Sequence, residues 1–399
     1  MGEATGSLEG GLRVRVVARD GVVVAVDLSS TRPVATSATL AGRDIDAAMA
    51  FLPRLFSLCG VAQAVAGLAA TEAALGVAPA HPQIAARRFL VAAEALEQTA
   101  WRLLLDWPRG LGAPPSFAIL KQLRQLLSAL RPALFPHPVW NRVGGSFLAP
   151  DRTELGVLLD GVENCLYQSI CGLAPGERWP FEELQDFERW LGAVSTPATL
   201  VLRRVREQGL VDFGRSTVTP LPAFDAGAME RRLAADDGHA FCARPDFDGV
   251  VYETGALARL WHHPLIATLR ADHGNGLFAR LVARMIESGD LLAEMRAQAR
   301  GLEAHPGTAP AATVGGVGLG VVECARGRLV HRVAVAGGRV ADYKILAPTE
   351  WNFHPEGPLA RGLAGAWVGR ETAAIRQSIE WLVTALDPCV GCDLVVEQD

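Results

Sequence analysis

Residues 327–352 read GRLVHRVAVAGGRVADYKILAPTEWN, and VGGVGLGVVECAR precedes them at 314–326. Aliphatic and β-branched residues recur between glycines, and Gly337-Gly338 suits the positive φ angles of a two-residue hairpin loop. Val314 to Ala347 therefore predicts a small antiparallel sheet. GGVGLG at Gly315–Gly320 superficially resembles a phosphate loop. It lacks the following lysine and the strand–loop–helix setting, so it reads as glycine-rich β-turns.

Outward from this sheet, LRVRVVARDGVVVAVDLS alternates around Asp20-Gly21 and predicts a second hairpin, joined to the same sheet. Helices are expected over Asp44–Leu75 with a break near Pro53 and Gly60, Pro82–Trp107, Phe117–Leu130, Asp151–Ile170, Pro180–Leu191, around Leu257, Gly276–Glu303 and Thr372–Leu386. Residues 196–253 read as short strands among turns. The expected fold class is α+β, a core of long helices with a small antiparallel sheet. No repeat or interdomain linker is visible, so 1–399 is treated as one domain.

The chain has 399 residues, 50% of them hydrophobic and 20% charged, enough to build a large core. A net charge of -5 argues against an electrostatic nucleic-acid binder. MGEATGSLEGG carries no basic and apolar leader pattern, and neither Leu55–Thr71 nor Ala304–Val322 has the apolarity of a membrane helix. A cytoplasmic protein without membrane insertion is expected.

Seven cysteines in a chain of this kind point to thiols that bind or react rather than to a disulfide framework. Cys389 and Cys392 in DPCVGCDLVV have the C-x2-C spacing that turns two thiolates toward one metal ion, or they are two ordinary thiols. Cys59 sits among small residues in LFSLCGVAQAVA. Cys165, Cys171, Cys242 and Cys324 have no partner at ligand spacing and read as structural. His262-His263-Pro264 reads as a solvated turn, because neighbouring helical side chains diverge by about 100°.

Taken together, these segments resemble the large subunit of nickel–iron hydrogenases, nearly end to end and in the same order. Of that family's R-x-E-G-H segment, SLEGG keeps Glu9 and Gly10 but has Ser7 and Gly11. Of C-G-x-C-x-x-x-H, CGVAQAVA keeps Cys59 and Gly60, while Ala62 and Ala66 replace the second cysteine and the histidine. The run from E-A-P-R-G to P-T-T-W-N is matched by Glu323, Arg326, Gly327, His331, Tyr343, Pro348, Thr349, Trp351 and Asn352. TGALAR at 254–259 and GLFARLVAR at 276–284 are weaker matches. DPCVGCDLV matches D-P-C-x-x-C-x-x-H except for Val395.

The pattern of kept and lost residues is similar to that of the HupK/HoxV group of hydrogenase maturation proteins. That resemblance implies a non-enzymatic carrier of an iron unit with two cyanides and one carbonyl. Maturation chaperones would supply the unit, and a hydrogenase large-subunit precursor would receive it. It implies Cys389 and Cys392 as metal ligands, with Cys392 the principal anchor and Cys59 a third ligand or transfer thiol. Arg326 and Thr349, beside Pro348, would hydrogen-bond the cyanides, and Asp387 would hold Arg326. Loss of a bridging thiolate at Ala62 argues against nickel. Each polar residue also has a plainer reading: Arg326 reaching a surface carboxylate, Thr349 or Asp387 capping backbone, Glu9 making a structural hydrogen bond. The alternatives are a divergent nickel-binding large subunit and a cargo-free module that engages chaperones.

Overall fold

The computed structural model describes residues 10–32, 34–174, 177, 179, 181–308 and 315–398. Strands β1 (Gly11–Arg19) and β2 (Val22–Ser30) form the expected hairpin about Asp20-Gly21. β3 (Val317–Cys324), β4 (Gly327–Ala336) and β5 (Arg339–Leu346) form the antiparallel sheet, turning at Gly337-Gly338. The two do not merge. The hairpin is completed by a sixth strand, β6 (Gly391–Gln398), which runs parallel to β1 with Cys392 opposite Leu12. LVV at 394–396 supplies aliphatic residues to that edge, and β1 lies in the middle of its sheet.

Helix α1 (Ile45–Leu55) ends four residues before α2 (Gly60–Leu75) begins. The break falls between Pro53 and Gly60, where it was expected. The carbonyl four residues before Pro53, that of Met49, loses its helical partner and instead accepts from Asn141 Nδ2 at 2.8 Å. α3 (His81–Trp101) does not stop at Pro108. It widens into a π turn over Arg102–Asp106 and continues to Gly110, and Ser116 N–H donates to the freed Leu104 carbonyl at 2.9 Å. Pro132 lies within the last turn of helix Phe117–Leu134, where only one amide bond is forfeited. Residues 196–253, expected as short strands, hold helices Pro197–Glu207, Ala226–Ala234 and Gly238–Ala243. Thr196 caps the first of these in a capping box, a local signal that outweighs the scattered β-branched residues.

α3 packs against the long helix Leu277–Gly301, and helix Thr372–Leu386 packs on the same helix, around Phe89, Leu96, Leu281 and Ile379. β3 lies on α2 with almost no space between backbones. A Cβ at Gly318 or Gly320 would overlap the carbonyl oxygens of Ala70 and Ala66. The phosphate-loop look-alike is thus a strand whose glycines admit a helix. His262 lies in an exposed turn, and His263 precedes helix Pro264–His273. Among the described residues, no helix is long and apolar enough to cross a membrane.

Candidate metal centre

Asp387 ends helix Thr372–Leu386 with φ +53, and this left-handed residue turns the chain back toward Pro388-Cys389. Its carboxylate has no solvent exposure. It accepts from Arg102 Nε at 2.8 Å and Nη2 at 2.5 Å. Arg284 Nη2 lies 3.1 Å from Oδ2, and Arg326 Nε lies 3.4 Å from Oδ1. Four separate segments are tied by one carboxylate. The π turn after α3 presents Arg102, helix Leu277–Gly301 presents Arg284, and the β3–β4 turn presents Arg326. Burial alone would raise the Asp387 pKa; the guanidinium groups of Arg326, Arg102 and Arg284 outweigh it and hold the carboxyl well below the usual range.

Two buried guanidiniums and the half-buried Arg102 on one carboxylate leave donors over. Arg326 Nη2 donates to Gln98 Oε1 at 3.3 Å, but Arg326 Nε is out of hydrogen-bond alignment with Asp387. Arg284 Nη1 is also buried without an acceptor. Unmet N–H groups in a protein interior favour an anionic or lone-pair-bearing guest.

Cys389 is buried beside Thr349, whose hydroxyl donates to its Sγ at 3.2 Å and accepts from its N–H at 3.4 Å. The hydroxyl expected at a cyanide is therefore engaged with sulfur. Pro348 opens the short helix Pro348–Asn352 that carries Thr349. Asn352 of the same helix bonds the Thr254 backbone and, at 3.4 Å, the Leu386 carbonyl, joining TGALAR to the C-terminal turn.

Cys59 caps α2, its carbonyl accepting the Gln63 amide at 2.9 Å. Its Sγ accepts from Gln63 Nε2 at 3.6 Å. Gln63 Oε1 is 2.8 Å from His331 Nε2, and His331 Nδ1 is 2.8 Å from Tyr343 Oη. Burial drives the His331 pKa down to about 3, so the imidazole is neutral near pH 7. With the Gln63 carbonyl as acceptor, the network places the ring proton on Nε2, and Tyr343 donates to Nδ1. Every hydrogen in Tyr343–His331–Gln63 then points toward the Cys59 sulfur. Glu94 of α3 accepts from the Val61 and Ala62 amides at 2.7 and 3.0 Å. Burial raises its pKa to about 7 against those bonds.

Cys59, Cys389 and Arg326 lie within electrostatic reach of one another: burial lowers the Arg326 pKa but Asp387, Cys389 and Cys59 together raise it, and burial followed by Cys389 raises that of Cys59. Cys392 is placed differently. As the second residue of β6 it lines a cleft of about 710 Å³ with Arg102, Glu380 and Asp393, and burial with Asp393 and Glu380 pushes its thiol up to about 11. The strand starts between the two cysteines: Cys389 lies in the turn beside Thr349 and Cys392 in β6. Glu9 lies outside the described residues. Ala62 and Ala66 are fully buried and present an apolar wall with Leu329 and Cys324. Among the described residues, no three His, Cys, Asp or Glu side chains are grouped to hold a metal ion.

A family model described as nickel-dependent hydrogenase matches residues 216–394. The hydrogenase expression/formation protein HupK of Rhizobium leguminosarum bv. viciae is 30% identical over 394 residues, 98% of this chain and 97% of that protein. HoxV of Cupriavidus necator, also named a hydrogenase expression/formation protein, is 32% identical over 94% of each chain. The chain belongs to the HupK/HoxV family of hydrogenase expression/formation proteins. Its fold is that of hydrogenase large subunits. The nickel–iron–selenium hydrogenase of Desulfovibrio vulgaris Hildenborough superimposes with a TM-score of 0.68 at 18% identity, over 94% of this chain and 95% of that one. An NAD+-reducing nickel–iron hydrogenase gives 0.63 at 20% identity, over 93% of each.

Several residues of this HupK/HoxV family member escaped the reading of its sequence. Gln63 stands one helical turn from Cys59, and i, i+4 spacing could have flagged it. Arg102, Arg284 and Glu94 reach the site across long loops, and no local pattern announces them. His331 and Tyr343 belong to the matched family run, but only the β4–β5 pairing and their bonds to Gln63 tie them to Cys59.

Proposed function

We propose that this chain is an accessory protein of nickel–iron hydrogenase maturation. It holds an iron unit bearing two cyanides and one carbonyl on Cys389 and Cys59, and delivers it to a hydrogenase large-subunit precursor. The observation that carries the reading is the placing of Cys389, held by the Thr349 hydroxyl, two residues beyond Asp387, whose carboxylate is ion-paired to the buried Arg326 and Arg284 while Arg284 Nη1 has no acceptor. Iron that arrives with three diatomic ligands needs few protein ligands, so two thiolates suffice where a bare ion would need a fuller cage. The cyanide nitrogens suit the open N–H groups of Arg326 and Arg284. The wall that would hold nickel carries only alanine at 62 and 66. A recipient with more thiolates than this pocket makes delivery downhill. Maturation chaperones are the proposed source of the unit.

Infrared spectroscopy with metal analysis on anaerobically purified protein tests this. The expected result is cyanide and carbonyl bands, iron, and no stoichiometric nickel. Cys389→Ser and Cys59→Ser should each abolish or shift the bands, while Cys392→Ser should keep them. Nickel with hydrogen uptake would favour a divergent hydrogenase. Partner binding unaffected by all three substitutions, without bands, would favour a cargo-free module.

A further inference from the structure

Helix Leu277–Gly301 carries Glu287, Asp290 and Glu294 at i, i+3 and i+7, a spacing that sets three carboxylates on one face. That face borders a cavity of about 160 Å³, which Glu323 near the end of β3 and Arg259 also line. Glu287 is buried at its floor, while Asp290, Glu294 and Glu323 stand exposed at its rim.

Four carboxylates thus face one arginine. Arg259 is already committed: its Nε donates to Glu287 Oε1 at 2.6 Å and its Nη1 to Glu323 Oε2 at 3.1 Å. Arg328 Nε donates to the other Glu323 oxygen at 2.6 Å. Glu287 is 5% exposed, and its Oε2 has no hydrogen-bond partner among the described residues. Asp290 and Glu294 make no ion pair among those residues; His263 and Arg88 act on them only through space. A buried carboxylate oxygen without a donor is costly, and the surplus negative charge asks for a guest that brings both N–H groups and positive charge.

The cavity narrows the choice of guest. It is well below a drug-sized pocket but has room for a cationic head with part of its stem. Ala95, Leu260 and Leu291 supply an apolar wall of the kind that methylene stems cover. Among the described residues the carboxylates are not grouped to hold a bare metal ion. A guanidinium, with five N–H donors in a fork, can serve floor and rim together. We propose that this cavity receives an arginine side chain of a partner protein. The guanidinium bonds Glu287 Oε2 at the floor and the Asp290 and Glu294 carboxylates at the rim, and the stem lies along Leu260 and Leu291. Charge complementarity defines the partner's contact, and the site operates whether or not iron is carried.

Fluorescence anisotropy tests this, with the full chain titrated into a labelled, end-capped pentapeptide that has one central arginine. The same peptide with citrulline is its neutral twin of nearly equal shape. The arginine peptide should bind saturably, and the citrulline peptide at least about tenfold more weakly. Glu287→Gln should weaken the arginine peptide at least about tenfold, and the rim change Glu294→Gln by less than about fivefold. If Glu287→Gln fails to fold, the exposed double change Asp290→Asn with Glu294→Gln carries the test, with a loss of at least about fivefold expected. Equal binding of the two peptides, or wild-type affinity in the folded variants, overturns the proposal. So does tighter binding of spermidine, which would give the site to a free polyamine, or displacement of the peptide by stoichiometric magnesium, which would give it to a hydrated metal ion.

Discussion

Two unlike groups of residues surround Cys389 and Cys59. The C-terminal wall, from Asp387 to Cys389, is bound by Arg102, Arg284, Arg326 and Thr349 through charged and hydroxyl contacts. The α2 wall keeps Cys59 with its hydrogen-bonded chain, but Ala62 and Ala66 face the interior with methyl groups. The first wall has what a cyanide-bearing iron would use. The second lacks what a second soft metal would need. The two walls stand on different elements, so substitutions can probe them separately.

Breaking the charged wall should have the largest effect. Asp387→Ala leaves the buried Arg284 and Arg326 without their shared counter-charge, while the half-buried Arg102 keeps Asp106, and loss of one partner of a buried pair typically costs about 3–5 kcal/mol. The expected outcome is a correspondingly lower unfolding midpoint in denaturant, or failure to accumulate folded protein. Arg326→Gln should cost less, because Arg102 and Arg284 still face the carboxylate. Equal losses in the two variants would show that the cluster's stability does not run through Asp387.

Refilling the bare wall tests the other half. Ala62→Cys adds one sulfur at a fully buried position beside Cys59 and Cys324. Calorimetric titration under anaerobic conditions should show nickel binding at least about tenfold tighter than in the unaltered chain, and overpacking should cost about 1 kcal/mol of stability. Unchanged nickel affinity would mean that the lost cysteine is not what keeps nickel out.

The contrast between the walls was partly legible in the sequence. Turn chemistry is local, so Asp20-Gly21 and Gly337-Gly338 announced their hairpins, and Asp387-Pro388 announced a helix end. Pairing across the chain is not local. Nothing around residue 395 says that β6 runs parallel to β1, so the hairpin's sheet was assigned the wrong third partner. Pro108 misled because its cost is met elsewhere, by Ser116 N–H. The seam of β3 on α2 was hidden because its glycines pass for turns. The family resemblance, with the C-x2-C spacing, made Cys392 the expected anchor. Spacing does not record that a strand begins at Gly391 and turns the second sulfur toward Arg102 and Glu380.

The neutral chain behind Cys59 should show the smallest effect. Tyr343→Phe removes the donor to His331 Nδ1 and leaves a buried acceptor unmet, a loss of about 1–2 kcal/mol. The sulfur would then face a less polarised Gln63 amide, and Cys59 alkylation should slow by less than about threefold. The same imidazole sets a pH signature. Its pKa is near 3 when folded and about 6.5 when unfolded, so the unfolded chain takes the proton first. This contribution to stability is complete above about pH 6.5 and is lost as pH falls toward 3, at up to about 1.4 kcal/mol per unit. Glu94 acts in the opposite direction. Its folded pKa of about 7 means that stability is lost as pH rises from the ordinary carboxylate range toward 7. His331→Gln should therefore expose the Glu94 limb, giving a chain whose stability falls between about pH 4.5 and 7, where the parent's profile is flatter because the two slopes oppose. Urea midpoints across that range decide the matter, and identical profiles in parent and variant would show that His331 does not stay neutral through the hydrogen bonds assigned to it.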